Sequence, residues 1–170
     1  MACALTQGYN LSCRDNYGGV KECGVIELEN IASMALTGDK ITTLTKVASK
    51  TFKKYNLVSM TGEAEDTYTS NKENGTSMVK QTVKFPINKM STSVRNELKL
   101  LAQNRLVWVV KDNNGTAWLY GYEFGMIMTN AGAKTGKSLQ DRNGYELTFE
   151  GEEKTFAYEV DSTIYDGLFT

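Results

Sequence analysis

The chain reads as a mainly β fold, a sandwich or barrel of about ten short strands with one flanking α-helix at about residues 93–103. Three features carry that reading. Apolar and polar side chains alternate with a period of two, most plainly at 78–85, while 106–110 is a short run apolar on both faces. Turn sequences such as Gly38-Asp39, Asn74-Gly75 and Asn113-Asn114-Gly115 separate those segments. One segment instead carries apolar residues at helical spacing, Val94, Leu98 and Leu101.

Taken in order, Val20 to Ile31 follows the Gly18-Gly19 break and suits a strand because Val25, Ile26 and Ile31 are β-branched. Gly38-Asp39-Lys40 reads as a tight turn between Met34-Ala35-Leu36 and Ile41 to Leu44, and Phe52 to Met60 reads as a further strand. Glu63 to Ser77 is polar and lacks large aliphatic side chains, so it is either a hairpin with exposed strands or a long loop. Val79, Val83 and Phe85 then share one side of a strand expected to stop at Pro86, which cannot donate to a ladder. Ser91 to Ser93 supplies hydroxyl caps for the helix, with Leu100 widening its stripe.

Leu106 to Val110 is apolar on both faces and returns through Asp112 to Gly115 into Thr116 to Tyr122, a hairpin central to a layered structure. Gly125 to Asn130 carries Met126, Ile127 and Met128, and Ala131 to Asn143 reads as a loop. Tyr145 to Glu150 and Thr155 to Val160 read as the last strands, on either side of Gly151.

With 170 residues and no repeat or Pro/Ser-rich linker, residues 1–170 read as a single domain, with an N-terminal arm at 1–18 and a long polar loop or hairpin arm at about 62–77. Hydrophobic residues at 41% and charged residues at 23% are ordinary globular usage, so the chain is expected to fold. Nineteen basic against twenty acidic residues leave a charge of -1, which gives no whole-molecule attraction to nucleic acid or an anionic membrane. No apolar run is long enough for a membrane span, and Met1 to Asn10 lacks the pattern of a secretory leader. Cys3, Cys13 and Cys23 are odd in number and too widely spaced for zinc chelation, so they read as reduced thiols.

The chain has no histidine, which removes the commonest general base and the histidine-containing metal sites. Glu27 with Glu29, Glu63-Glu65-Asp66 and Glu150-Glu152-Glu153 place carboxylates two apart, as paired glycosidase acids require, but solvated strand faces give the same pattern. Gly132 to Ser138 ends in Gly-Lys-Ser, yet its glycines are one residue too close for a phosphate loop and no helix pattern follows. Trp108, Trp118, Tyr120 and Tyr122 cluster on the central hairpin, where core packing accounts for them as well as sugar or base stacking does. No catalytic, cofactor-binding or metal-binding residue is assigned, no cofactor is expected, and the chain reads as non-enzymatic.

A resemblance sharpens this. Asn104 to Gly115, Trp118 to Met126, the Thr135-Gly136 loop and Asp141 to Glu153, with Ala4 to Tyr9 and Cys13-Arg14-Asp15 near the start, resemble tail-tube or tail-ring virion proteins of Bacteroidetes phages, including crAss-like phages. The resemblance implies a virion subunit made in the bacterial host cytoplasm. It implies a homo-oligomeric ring, stacked with itself or with other tail or connector proteins, that touches DNA passively in its lumen and needs neither membrane nor small-molecule substrate. A stand-alone β-sandwich for carbohydrate binding or adhesion is the alternative, and an exposed Trp or Tyr platform would mark it.

Overall fold

The computed structural model describes Gly8, Tyr9 and residues 15–170. Cys3, Cys13 and most of the expected arm at 1–18 lie outside the described residues. The fold is mainly β, with eleven strands in two sheets and two short helices. The strands are β1 Val20–Glu27, β2 Ile31–Thr37, β3 Lys40–Lys46, β4 Lys53–Asn56, β5 Glu63–Asn71 and β6 Thr76–Asn88, then helix α1 Thr92–Gln103. β7 Leu106–Asp112, β8 Ala117–Tyr120, β9 Ile127–Lys134, β10 Gly144–Glu153 and β11 Tyr158–Val160 follow, and helix α2 Ser162–Tyr165 runs into a 3-10 turn at Asp166–Phe169.

One sheet has seven strands in the order β2-β3-β11-β8-β7-β1-β4, and the other has four in the order β5-β6-β10-β9. The period-two alternation dictates what lies between them. Leu106, Trp108 and Val110 of β7 face the four-stranded sheet and meet Phe85 of β6 and Leu147 and Phe149 of β10. The Trp108 ring lies 4.6 Å from that of Phe149 and 5.1 Å from that of Phe85, centroid to centroid, so three aromatics fill the centre of the sandwich. α1 adds Leu98 and Leu101 to this layer, and Ser91 caps it by accepting the Val94 N–H at 3.3 Å.

The opposite residues of the same strands build a second core. Val107 and Val109 of β7, Ile26 of β1, Leu119 of β8 and Ile41 of β3 are covered by Tyr165 and Leu168 from the chain's end. Gly24 on β1 admits this lid: a Cβ there would stand 2.5 Å from the Phe169 ring.

Several boundaries differ from the sequence reading. β6 runs through Pro86 to Asn88, because β5 begins only opposite Lys84 and leaves one side of β6 without a partner at the proline. β10 passes straight through Gly151, which lets Gly125 and Met126 approach the strand: an added Cβ would lie 2.9 Å from the Gly125 carbonyl. β9 continues to Lys134 in what reads as loop, drawn out by its antiparallel pairing with β10 from Gly144 to Glu150. The strand expected at Phe52 to Met60 is confined to Lys53–Asn56. The one expected at Val20 to Ile31 breaks into a 3-10 turn at Leu28–Asn30. Leu100 is exposed instead of widening the helix stripe, since it is turned about 100° from Leu101 on the helix surface. Among the described residues no helix is long and apolar enough to cross a membrane.

Candidate assembly surface

Among the described residues, the four-stranded sheet has one face that no element covers and two edges without a partner strand. Its inner face carries Val79, Val83, Phe85, Leu147 and Phe149, all buried. The alternate residues form an outer face that no described element covers: Glu63 and Glu65 from β5, Lys80 and Lys84 from β6, Glu146, Glu150 and Glu152 from β10, and Lys134 from β9. Cross-strand ion pairs tie it together, Lys80 to Glu150 at 2.8 Å, Lys134 to Glu146 at 2.9 Å and Lys84 to Glu63 at 3.6 Å. Exposed pairs of this kind add little stability. They leave a flat polar face on which the five carboxylates outnumber the three ammonium groups.

Every pairing within this sheet is antiparallel. With an even number of strands, its two edge strands β5 and β9 therefore run in opposite directions, and each has one row of backbone groups with no partner strand. The two edges differ in charge. β5 opens with Glu63, Glu65 and Asp66, whereas β9 has no charge before Lys134 at its end. Charges and prolines are the usual protection of a sheet edge, and β9 carries almost none of it.

At one end of this sheet, where β10 ends and β6 and β9 begin, an open pocket of about 610 Å³ is lined by Met78, Phe124, Gly125, Ile127 and Gly151, with Lys80, Glu150, Glu152 and Lys154 among its polar lining. Its wall is fixed from below. The buried Glu153 carboxylate accepts the backbone N–H groups of Glu123 at 3.1 Å and Phe124 at 3.0 Å, and buried Gln81 accepts the Gly121 N–H at 2.8 Å. Burial raises the Glu153 carboxyl above the ordinary carboxylate range, and those N–H groups oppose the rise. The 121–125 turn is thus held on two polar pins beneath exposed Phe124 and Ile127.

The acidic clusters divide by strand parity. Glu63, Glu65, Glu150 and Glu152 lie on the outer face, while Asp66 and Glu153 turn inward. Asp66 accepts the Ala157 N–H at 2.8 Å, its other oxygen is buried with no hydrogen-bond partner among the described residues, and burial raises its carboxyl. Glu27 accepts a hydrogen bond from Asn30 at 2.8 Å. Gly132 to Lys134 lies in β9, and the rest of the Gly-Lys-Ser segment forms a turn in which Asp141 accepts the Lys137 and Ser138 N–H groups at 2.7 and 2.9 Å. Trp108 and Tyr120 are buried and Trp118 and Tyr122 half-buried, so the central hairpin offers no aromatic platform. The Cys23 thiol is buried, and burial drives its pKa upward. Among the described residues no group of three carboxylate or thiol side chains is arranged to hold a metal ion.

Sequence reasoning missed the pocket and the Glu153 pin, whose only trace in the sequence is an acidic residue at an inward-facing position of an alternating strand. No protein-family model, curated protein or solved structure matches the chain.

Proposed function

We propose that this chain is a non-enzymatic structural subunit that assembles with copies of itself into a ring around a channel, as the tail-tube or head-tail ring subunit of a bacteriophage particle. One observation carries the reading: a four-stranded, wholly antiparallel sheet which, among the described residues, has two edges of opposite direction without a partner strand and one uncovered face. Copies related by a rotation axis along the strands bring β9 of one against β5 of the next in antiparallel orientation. The sheet then continues from copy to copy without a change of pattern. When the rotation closes, the open edges vanish into a barrel.

The charges suit this arrangement. An uncharged β9 edge facing an acidic β5 edge avoids the like-charge contact that β5 against β5 would create. In such a ring the uncovered face lines the channel, and its excess of carboxylates keeps a passing nucleic acid from binding. The resemblance of Asn104 to Gly115, Trp118 to Met126, Thr135-Gly136 and Asp141 to Glu153 to phage tail proteins supports the virion assignment.

Negative-stain electron microscopy and analytical ultracentrifugation of the full chain across a concentration series test the proposal. Rings or short tubes with a central hole are the expected result. A monodisperse single chain at the highest concentration reached contradicts it.

A further inference from the structure

Apart from Tyr68 in mid-β5, which stacks on Phe156, three large exposed apolar side chains of the four-stranded sheet and its connections stand at the ends of β9 and β10. Ile127 starts β9 and Phe124 stands over the end of β10, beside the pocket. At the opposite end the β9–β10 connection carries Leu139, which is fully exposed. Leu139 buries none of its side chain against the described residues, so covering it with another surface is favourable.

The loop that carries it is already shaped. Asp141 gathers the Lys137 and Ser138 N–H groups, the Asp141 N–H donates to the Ser138 carbonyl at 3.2 Å, and Gly136 takes φ +76°. Leu139 therefore sits on a built turn that needs little ordering when it docks. Knob and pocket also lie on one ladder. The turn joins β9 to β10 at one end, and the pocket is made by the start of β9 and the end of β10 at the other. A translation along the strands places the Leu139 turn of one copy over the pocket of the next. Charge agrees with that placement: Lys137 stands two residues from Leu139, and the pocket rim holds Glu152, which makes no ion pair among the described residues.

The geometry points to a heterologous, end-to-end contact between copies of this chain, in which Leu139 of one copy enters the pocket lined by Phe124, Ile127 and Met78 of the next and Lys137 faces Glu152. The contact rests on the reading of the chain as a self-assembling subunit, but it uses the strand ends and leaves the strand edges free. It stacks copies along the strand direction, and a contact of this type repeats without closing.

Disulfide trapping tests it in the full chain, with Cys3→Ser and Cys13→Ser as the background. Two single variants, Leu139→Cys and Ile127→Cys, are oxidised separately and as a mixture, and a double variant carries both changes. The expected result is a one-to-one cross-linked dimer in the mixture, no more than trace dimer in either variant alone, and a ladder of higher species in the double variant. Equal cross-linking within each single variant overturns the heterologous contact. Rings that form under the microscope with no cross-link in the mixture overturn the stacking contact alone, whereas single chains with no cross-link overturn it together with the ring. As a second reading, Leu139→Asp is expected to leave rings intact and to reduce the stacked, fast-sedimenting fraction at least tenfold. Unchanged stacks in that variant contradict the proposal.

Discussion

The two sheets of this protein are finished to different degrees. The seven-stranded sheet is covered on both faces at its centre, by the aromatic layer around Trp108 on one side and by Tyr165 and Leu168 on the other. The four-stranded sheet shares the aromatic layer, but no element among the described residues covers its other face. The difference separates two tasks. Burial on both faces of β7 supplies folding free energy, and the uncovered sheet is the surface on which the proposed self-assembly draws.

Substitutions on each side of this division measure it. The largest effect is expected from Trp108→Ala, which removes the ring at the centre of the sandwich and leaves a cavity: a loss of about 3–5 kcal/mol, read by urea unfolding. That loss is a large fraction of the stability of an ordinary domain, so assembly falls with it. Leu168→Ala opens the second core instead and is expected to cost about 2–4 kcal/mol, while the variant, where folded, still assembles at wild-type concentrations. If Leu168→Ala abolished assembly without lowering stability, the division between the sheets would be wrong.

The reverse pattern is expected at the bare edge. Asn130→Glu combined with Gly132→Glu places two carboxylates on β9 where the acidic β5 of the next copy is proposed to lie. Stability by urea unfolding should change by about 0.5 kcal/mol or less, because surface changes away from packed groups seldom do more. The oligomer seen by ultracentrifugation should nevertheless disappear. The smallest effect concerns pH. Asp66 and Glu153 are buried carboxyls raised above their ordinary values, so the folded chain binds their protons more tightly than the unfolded one. Their contribution is complete below the unfolded values of about 4 and is lost as pH rises through the folded values. Glu22 and Glu27 are shifted the other way: burial acts to raise both, but Lys54 and Tyr165 outweigh it at Glu22, and hydrogen bonds and nearby lysines outweigh it at Glu27. Their contribution holds above the unfolded values and is lost on acidification. Thermal unfolding should therefore show a gain in Tm as pH is lowered from neutral toward the unfolded carboxyl values of about 4, smaller in Asp66→Asn.

Much of this architecture is legible in the chain. β7 is apolar at every position from Leu106 to Val110, which only a strand buried on both faces requires, and the helix cap and stripe at Ser91 to Leu101 fix α1. The lid at the chain's end is harder to see, because α2 has four residues and its signals are one capping aspartate, Asp161, and the spacing of Tyr165, Leu168 and Phe169. Strand ends at Pro86 and Gly151 mislead because both residues are excluded from strand interiors only where a partner strand or a packed side chain is present. The candidate surface is the least legible part. Edge status depends on strand order, β6 pairs with β10 across more than fifty residues of sequence, and no local pattern records which strand ends the sheet.

Amide hydrogen exchange of the full chain at low and high concentration tests most directly whether the four-stranded sheet is completed by its copies. The account predicts that backbone amides of β9 and β5 become protected as concentration rises, while those of β2 and β4, the edges of the seven-stranded sheet, exchange at unchanged rates. Protection that appears at β2 or β4 and leaves β5 and β9 unchanged would contradict it.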